Sequence, residues 1–360
     1  MRIALLGTRG IPANYGGFET FAEELSTRLA ERGHAVTVYC RERPAAARYR
    51  GIRLCYLPTI KHKYFDTIAH TALSTFHLLF HRYDAVLYCN AANAVFTVLP
   101  RILQMPTALN VDGLERHRKK WNQVAKLWYL ISEWLATWCP TVVVTDAEQI
   151  REYYLQRYGK DSVFISYGAE LGTVAGTDIL DQLGLEPGRY VLYVSRMEPE
   201  NNALMVREAF ERVRTDKKLV LVGDAPYAAD YIRRVKDTRD ARVVMPGAIY
   251  GNGYHQLQSH CWAYVQATEV GGTHPALIEA MGRGALVLYL RTPESAEVAS
   301  GAAVEFDAQN LADKLQWAVD ASDEERARWG RRAMQRVEER YSWNAVTDAY
   351  EALFRRMARQ

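Results

Sequence analysis

Short apolar runs and amphipathic stretches alternate from the first residues of the chain. Residues 2–6 form an apolar run that ends at Gly7, and residues 17–32 carry apolar side chains three or four positions apart. This order predicts a strand, a loop and a helix. A β-branched run after Gly33 predicts a second strand at 35–39, which completes a βαβ unit. The same pattern recurs at 85–88, 107–110 and 141–145. Parallel strands joined by helices are therefore predicted for the first half.

The second half repeats this organisation after a glycine-rich stretch at 169–188, which we interpret as a linker. Five further strands are predicted there, at 190–194, 218–222, 241–245, 263–265 and 285–289. The fold class is thus α/β, with Rossmann-like doubly wound domains over 1–170 and 171–341. An amphipathic helix at about 342–360 is expected to return to the first domain. Because such sheets bind ligands beyond the carboxyl ends of their strands, we expect a shared ligand in a cleft that the domains face.

Composition narrows the class of protein. The chain has 360 residues, 49% hydrophobic and 24% charged, which is enough for two packed domains. A net charge of +3 disfavours nucleic acid as a partner, although residues 1–171 hold 21 basic and 15 acidic residues and could meet an anionic surface. Five cysteines without a C-x-x-C pair predict free thiols in a reducing cytoplasm. A leader-like segment and a long apolar span are not evident, so a cytoplasmic protein is expected.

Two glycine pairs precede predicted helices and are candidate phosphate sites. Gly16 and Gly17 would let backbone N–H groups approach a phosphate at a helix N-terminus, and a plain turn that needs positive φ is the alternative. The spacing differs from G-x-G-x-x-G, which disfavours a nicotinamide nucleotide. Gly271 and Gly272 follow a predicted strand, and a helix begins near Pro275, so a diphosphate fits there.

Glu279 lies about one helical turn beyond Pro275, where its carboxylate could accept hydrogen bonds from the two hydroxyls of a ribose. A helix-surface glutamate without a role is the alternative.

These motifs resemble glycosyltransferase family 4, retaining enzymes of the GT-B fold. The resemblance rests on Gly-Gly-Thr-x-Pro-x-Leu-x-Glu-Ala-Met-Gly from Gly271, on Gly-Gly-x-Glu from Gly16, and on the segments 194–202 and 221–224. Within the family, Asn110-Val-Asp-Gly-Leu-Glu115 with Lys120-Trp121, and Pro199-Glu-Asn-Asn202, are similar to the bacterial rhamnosyltransferase-like branch of cell-wall and capsule polysaccharide synthesis.

The resemblance implies a set of site residues. Arg196 is expected to contact the donor diphosphate, and Glu279 and Asp112 complete the catalytic candidates. Asp112 would face the acceptor hydroxyl; the alternative is that it is only a turn or cap residue. Asn201 stands where many relatives have lysine, and Gly271 where they have a first glutamate. The donor-binding candidates are Gly16, Gly17, Asn201, Tyr250, Gly271, Gly272 and Thr273. The acceptor-side candidates are Glu19 and Glu115.

The implied reaction moves a sugar from a dTDP- or UDP-sugar, most plausibly L-rhamnose from dTDP-rhamnose, to a lipid-linked saccharide. An Asp-x-Asp motif is absent from the sequence, so neither a metal nor a cofactor is expected. A UDP-hexose or UDP-GlcNAc donor is the alternative within enzymes. A non-catalytic nucleotide-sugar-binding assembly subunit is the alternative outside them, because of Asn201 and Gly271.

Two basic-aromatic segments predict contact with an anionic membrane. Residues 61–65 are one, and residues 117–121 lead into apolar positions between Val124 and Leu135 at helical spacing. A peripheral position on the inner face of the cell membrane is therefore predicted. The alternative is that the tryptophans of this helix are core residues and the charges a solvated face.

Overall fold

The structure is a computed structural model that describes residues 1–13, 16–60, 62, 65–119, 121–225 and 228–359. It divides into two compact units. Unit 1 comprises Met1–Tyr167 with Trp343–Gln360, and unit 2 comprises Gly168–Ser342. Each unit has one sheet with helices, and nearly all strand pairs are parallel. The predicted α/β fold class is confirmed.

The sheet of unit 1 has the order β3-β4-β2-β1-β5-β6-β7-β8. Its strands are β1 (Arg2–Leu6), β2 (Ala35–Cys40), β3 (Arg48–Tyr49), β4 (Ile52–Tyr56), β5 (Ala85–Cys89), β6 (Thr107–Asn110), β7 (Val142–Thr145) and β8 (Val163–Phe164). The central strands are buried along their length because helices cover both faces, as in other parallel sheets.

The short hairpin of β3 and β4 departs from the predicted parallel pattern, since these two strands pair antiparallel. Arg50 and Gly51 between them both have positive φ, the geometry of a tight two-residue hairpin turn.

The helices of unit 1 include the last helix of the chain. They are α1 (Gly17–Glu31), α2 (Asp66–Leu78), α3 (Val98–Ile102), α4 (Gln123–Ala136), α5 (Glu148–Tyr158) and α14 (Trp343–Met357). The α14 helix packs on α1, where the rings of Phe21 and Tyr350 lie 5.4 Å apart. Glu351 accepts hydrogen bonds from Arg32 at 2.9 Å and from His34 at 2.7 Å. The amphipathic C-terminal stretch therefore buries its apolar side within unit 1.

The sheet of unit 2 is entirely parallel and has the order β11-β10-β9-β12-β13-β14. Its strands are β9 (Tyr190–Val194), β10 (Lys218–Val222), β11 (Val243–Gly247), β12 (Ala263–Gln266), β13 (Leu286–Leu290) and β14 (Val304–Phe306). The strand order reverses between β9 and β12. In sheets of this order the ligand crevice lies at that reversal, outside the carboxyl ends of the strands.

The helices of unit 2 are α6 (Asp178–Gln182), α7 (Ala203–Phe210), α8 (Ala229–Lys236), α9 (Gly251–His260), α10 (Pro275–Gly282), α11 (Pro293–Ala299), α12 (Leu311–Asp320) and α13 (Asp323–Arg340). Apolar side chains of the strands, α7 and α12 form its core. The strand predicted at 241–245 lies two residues later. Arg242 instead pairs with Asp240 and donates to the carbonyls of Val213 and Thr215, which holds it in the preceding turn.

Candidate active site

The loops after β9 and β12 meet at the strand-order reversal of unit 2. Asn202, at the end of the first loop, donates from its amide to the carbonyl of Ala267 at 2.9 Å and to the Glu269 carboxylate at 3.0 Å. The backbone N–H of Glu269 donates to the Glu200 carbonyl at 2.9 Å. The two loops are thus fixed to each other, and they carry Arg196 and the predicted donor residues Asn201, Gly271, Gly272 and Thr273.

Arg196 is the second residue after β9. Its side chain is about one-third exposed, and its guanidinium lies 3.8 Å from the Glu198 carboxylate. Asn201 is buried, and its amide nitrogen donates to the Arg196 carbonyl at 2.7 Å. Tyr193 donates to the Asn201 carbonyl, also at 2.7 Å. Asn201 therefore stabilises the main-chain conformation of the loop at Arg196. Direct contact between Asn201 and a donor stays a prediction.

Gly223, in the Leu-Val-Gly-Asp segment after β10, packs directly on this loop. Its φ is +144°, and a Cβ atom at this position would lie 1.8 Å from the Ser195 carbonyl oxygen. Only glycine allows both that dihedral angle and that approach. The backbone next to Arg196 consequently depends on a residue without a side chain.

The α10 helix begins at Pro275, as the sequence predicts, with His274 as its N-cap residue. Gly272 and Thr273 are buried immediately before it. A Cβ atom on Gly271 would lie 2.5 Å from Cε1 of His274, so the His274 ring fills the space that a side chain at 271 would take. Sequence reasoning did not single out His274, and its only signal was its position before the helix-starting proline.

Glu279 is largely buried, and its carboxylate accepts a hydrogen bond from the Tyr254 hydroxyl on α9. Gln258, one turn further along α9, donates to the Tyr254 oxygen at 2.7 Å. Sequence reasoning missed both residues, although their spacing of four on one helix face was visible. The predicted donor residue Tyr250 is the N-cap of α9 and is 47% exposed.

In unit 1, the first glycine pair lies at the start of α1, with Gly16 as its N-cap. Glu19 is buried and accepts a hydrogen bond from the backbone N–H of Arg9 at 2.8 Å. Burial raises the pKa of Glu19, whereas the Arg9 N–H and the charge of Arg41 oppose that rise. The carboxylate therefore holds the loop after β1, and an acceptor-side role for Glu19 stays a prediction.

Asp112 follows β6 with a φ of +55°, and its N–H donates to the Asn110 side chain at 3.0 Å. Burial and the neighbouring Glu115 raise the pKa of Asp112 to about 6, and its side-chain hydrogen bond with Asp146 acts against this rise. Asp146, directly after β7, is fully buried and was not singled out from the sequence.

Glu115 pairs with Arg118 at 2.6 Å, and its own side chain is only one-tenth exposed. A charged pair thus holds the segment that follows Asp112.

An apolar surface covers three helices of unit 1. Its large side chains are exposed, and they are Leu73, Phe76 and Phe80 from α2 and its end, Leu99, Ile102 and Leu103 from α3 and its end, and Val124, Leu127, Ile131, Trp134 and Trp138 from α4 and its end. Arg101 of α3 donates to the Trp138 carbonyl at 2.7 Å, and α2 packs on α3, so the three helices adjoin. We call this set the apolar surface.

The interpretation of the α4 tryptophans as core residues is wrong for Trp134, which is 52% exposed. Trp138, two residues after the helix, is 66% exposed. Of the predicted basic-aromatic segments, Lys61, Lys63, Tyr64 and Lys120 lie outside the described residues. Among the residues that are described, no helix is long and apolar enough to cross a membrane, and no three His, Cys, Asp or Glu side chains group as metal ligands.

The fold is that of a doubly wound α/β protein, and comparison with known proteins specifies the class. Residues 15–169 match the family model Glycosyltransferase Family 4, and residues 188–321 match Glycosyl transferases group 1. Together these matches span about four fifths of the chain. The protein is a glycosyltransferase of the GT-B type built from these two family domains. No curated protein sequence matches the chain.

Solved structures of similar fold cover nearly the whole chain. Anabaena Alr3699/HepE, in complex with UDP and glucose, has 18% identity and a TM-score of 0.79 over 98% of this chain and 99% of its own. Sucrose-phosphate synthase from Thermosynechococcus elongatus has 20% identity and a TM-score of 0.77 over 99% and 98%. WaaG, a glycosyltransferase involved in lipopolysaccharide biosynthesis, has 16% identity and a TM-score of 0.72 over 97% and 99%. At these identities the likeness shows the GT-B fold.

Proposed function

We propose that this glycosyltransferase transfers L-rhamnose from dTDP-rhamnose to a lipid-linked saccharide, with retention of the anomeric configuration, in the synthesis of a cell-surface polysaccharide. The observation that carries the donor side is the meeting of the Arg196 loop with the loop before α10 at the strand-order reversal. That position is where nucleotides bind in sheets of this order. The finer identity of the sugar and the branch rests on the sequence resemblance.

The chemistry follows from where charge develops. The bond between the anomeric carbon and the diphosphate oxygen breaks, and negative charge accumulates on the leaving diphosphate. Arg196 supplies a permanent positive charge, and the first N–H groups of α10 supply aligned dipoles. Both are stronger partners for the leaving group than for the intact donor, which is the requirement for catalysis.

The acceptor hydroxyl forms the new bond on the same face of the sugar and gives its proton to the leaving phosphate. Asp112 is proposed to orient that hydroxyl. No step requires a metal or a cofactor.

The donor assignment is tested by thermal shift and calorimetric titration with dTDP, dTDP-rhamnose, UDP, UDP-glucose and UDP-GlcNAc. A ligand at 100 times its Kd adds about 2.7 kcal/mol to the stability of the native state. We expect the dTDP ligands to give this shift and the UDP ligands a smaller one. Arg196→Ala should weaken diphosphate binding at least tenfold, because a charge-assisted contact is lost.

Arg189→Ala is the matched control, because Arg189 precedes the same strand and pairs with Asp216 at the opposite end. Unchanged dTDP affinity in Arg196→Ala would contradict the site. Preference for a UDP-sugar would support the alternative donor, which the fold likeness to the UDP complexes of HepE favours.

The apolar surface supports the lipid-linked acceptor and a position at the inner face of the cell membrane. Between Asp66 and Trp138 the chain has five acidic residues, and each is half-buried or buried. Arg82, Arg101 and Lys119 in the same span are exposed. The exposed charge beside the apolar surface is therefore basic. Basic side chains are attracted to an anionic bilayer and not to a neutral one.

Vesicle co-sedimentation tests this assignment with phosphatidylglycerol and phosphatidylcholine vesicles. We expect binding to the anionic vesicles and at least tenfold weaker binding of the double variant Trp134→Ser/Trp138→Ser. Leu155→Ser, an exposed leucine of α5 outside the apolar surface, is the control and should bind as the wild type does. Equal binding of all three proteins, or none by the wild type, would refute the membrane contact.

A further inference from the structure

Two neighbouring strands of unit 1, β5 and β6, end side by side at the carboxyl edge of the sheet. In their parallel pairing Cys89 lies opposite Asn110, so the residue after β5, Asn90, adjoins the segment that continues from β6. The N–H of Asn90 donates to the Asn110 carbonyl at 2.9 Å, and the Asn110 side-chain oxygen accepts the N–H of Asp112 at 3.0 Å. Since neighbouring strands lie about 4.8 Å apart, Asn90 and Asp112 share one stretch of the sheet edge.

The side-chain amide of Asn90 has a fixed orientation. Its oxygen accepts the N–H of Ala92 at 2.9 Å, and since a backbone N–H only donates, the atom on that side is the amide oxygen. The NH2 group, on the other side of the same planar amide, has no hydrogen-bond partner among the residues that the structure describes. Asn90 is half-buried, and its NH2 group is not enclosed. This group is therefore a donor that is held in place and open to a ligand.

The backbone of Asn90 lies in a region that side chains rarely adopt. Its φ is +76° and its ψ is +127°, outside the left-handed region in which asparagine is tolerated. Glycine adopts positive φ without a steric penalty. Keeping a side chain here therefore has a cost for the fold, and residues with such a cost are concentrated at active and ligand-binding sites.

We propose that Asn90 is a further acceptor-binding residue, whose NH2 group donates a hydrogen bond to the hydroxyl of the acceptor saccharide next to the one that Asp112 orients. This inference rests on the proposed function, in which Asp112 faces the acceptor. A sugar hydroxyl both donates and accepts, whereas a carboxylate only accepts and an amide NH2 group only donates. Asp112 and Asn90 are therefore complementary to two neighbouring hydroxyls, and together they favour an acceptor sugar in which both are free.

Two variants separate this role from a structural one. Asn90→Asp keeps an oxygen that accepts the Ala92 N–H, but it replaces the NH2 group with an atom that cannot donate. Asn90→Gly removes the side chain and suits the backbone angles, and glycine in place of a capping asparagine costs little stability. If Asn90 only stabilised its turn, Asn90→Asp would act as the wild type does and Asn90→Gly would change stability alone.

Transfer is measured as release of dTDP from saturating dTDP-rhamnose over a dilution series of a lipid extract of cell membranes, which supplies the acceptor. The kcat/KM for the acceptor is expected to fall about three- to tenfold in Asn90→Gly, the usual range for one lost hydrogen bond. It should fall at least about tenfold in Asn90→Asp, because two carboxylates leave the second hydroxyl oxygen without a donor. In both variants the dTDP Kd should stay within about twofold of the wild type, and the Tm should not fall by more than about 2 °C.

Gln104→Gly is the matched control. Gln104 follows α3 in the same unit, is exposed and has a φ of +57°. It precedes β6 and so lies at the amino edge of the sheet, opposite the edge that carries Asn90. The substitution therefore places glycine at a positive φ without touching the proposed acceptor site, and its kcat/KM for the acceptor should equal that of the wild type.

The outcomes separate this inference from the proposed function. Unchanged kcat/KM for the acceptor in either Asn90 variant, with turnover by the wild type, would overturn the role of Asn90 and leave the proposed function intact. A weakened dTDP affinity in both variants, or an equal loss of kcat/KM in Gln104→Gly, would also overturn it, since the defect would then not be specific to the acceptor. A wild type that releases no dTDP with the extract would overturn the proposed function itself.

Discussion

The contact between Gly223 and the Arg196 loop makes Gly223→Ala the most informative perturbation of the donor site. A methyl group would lie 1.8 Å from the Ser195 carbonyl oxygen, so the loop has to move. Such overpacking costs about 1–3 kcal/mol, in addition to about 1–3 kcal/mol for an alanine at a φ of +144°. The total of about 2–6 kcal/mol is a large part of the stability of one domain.

Gly247→Ala is a matched control in the same sheet. Gly247 has a φ of +88° but no atom within 4 Å of the Cβ position, and its carbonyl accepts the Gly223 N–H at 2.9 Å. It therefore carries the backbone penalty without the clash. The clash alone should therefore make Gly223→Ala about 2 kcal/mol less stable than Gly247→Ala. For a unit of this size, that corresponds to a Tm about 4–8 °C lower.

Calorimetry and nucleotide titration together provide the assay. Gly223→Ala should also bind the donor nucleotide at least tenfold more weakly, because the displaced Ser195 carries Arg196 with it, whereas Gly247→Ala should retain affinity within about twofold. Equal losses of Tm in both variants would refute the steric reasoning. Unchanged nucleotide affinity in a destabilised Gly223→Ala would refute the link between this packing and the donor site.

Three further predictions concern the ionisation of Glu351, the ionisation of Asp112 and the need for a metal ion. The pKa of Glu351 is lowered, first by its hydrogen bond from His34 and then by Arg32. The stability that ionised Glu351 contributes is therefore present above pH 4.5 and is lost as the pH falls through its folded-state pKa. The Tm advantage of wild type over Glu351→Gln should shrink on acidification, and a constant Tm difference would contradict this role. Asp112, with a pKa raised to about 6, should give a transfer rate that falls below that pH and is flat in Asp112→Asn. EDTA should leave the transfer rate unchanged within about twofold, and loss of activity restored by a divalent cation would contradict metal independence.

Much of the fold could be predicted because its strands are buried on both faces and read as continuous apolar runs. The strands at 107–110, 190–194 and 218–222 have the predicted bounds, and α1 and α10 begin where the sequence indicates. The hairpin of β3 and β4 was missed because β3 has only two residues, too few to show a period. The strand at 243–247 was misplaced because the long-range contacts of Arg242 decide where it starts.

The position of a candidate residue could be predicted where it depends on the ends of strands and helices, and not where it depends on a side-chain partner from another element. Arg196, Gly271 and Glu279 stand next to strand ends and a helix start, which the sequence displays. Tyr254 matters only because α9 packs on α10, and His274 only because its ring covers Gly271. The burial of Glu19 could not be predicted for the same reason, since it depends on how the loop after β1 folds over it.

The central claim is that the carboxyl edge of the unit 2 sheet is the donor site of a working glycosyltransferase. Release of nucleoside diphosphate from dTDP-rhamnose, measured with a membrane extract as the source of acceptor, tests it most directly. We expect turnover by the wild type and by Arg189→Ala, and a loss of at least a hundredfold in Arg196→Ala and in Glu279→Gln. Full turnover in Arg196→Ala and Glu279→Gln would contradict the account.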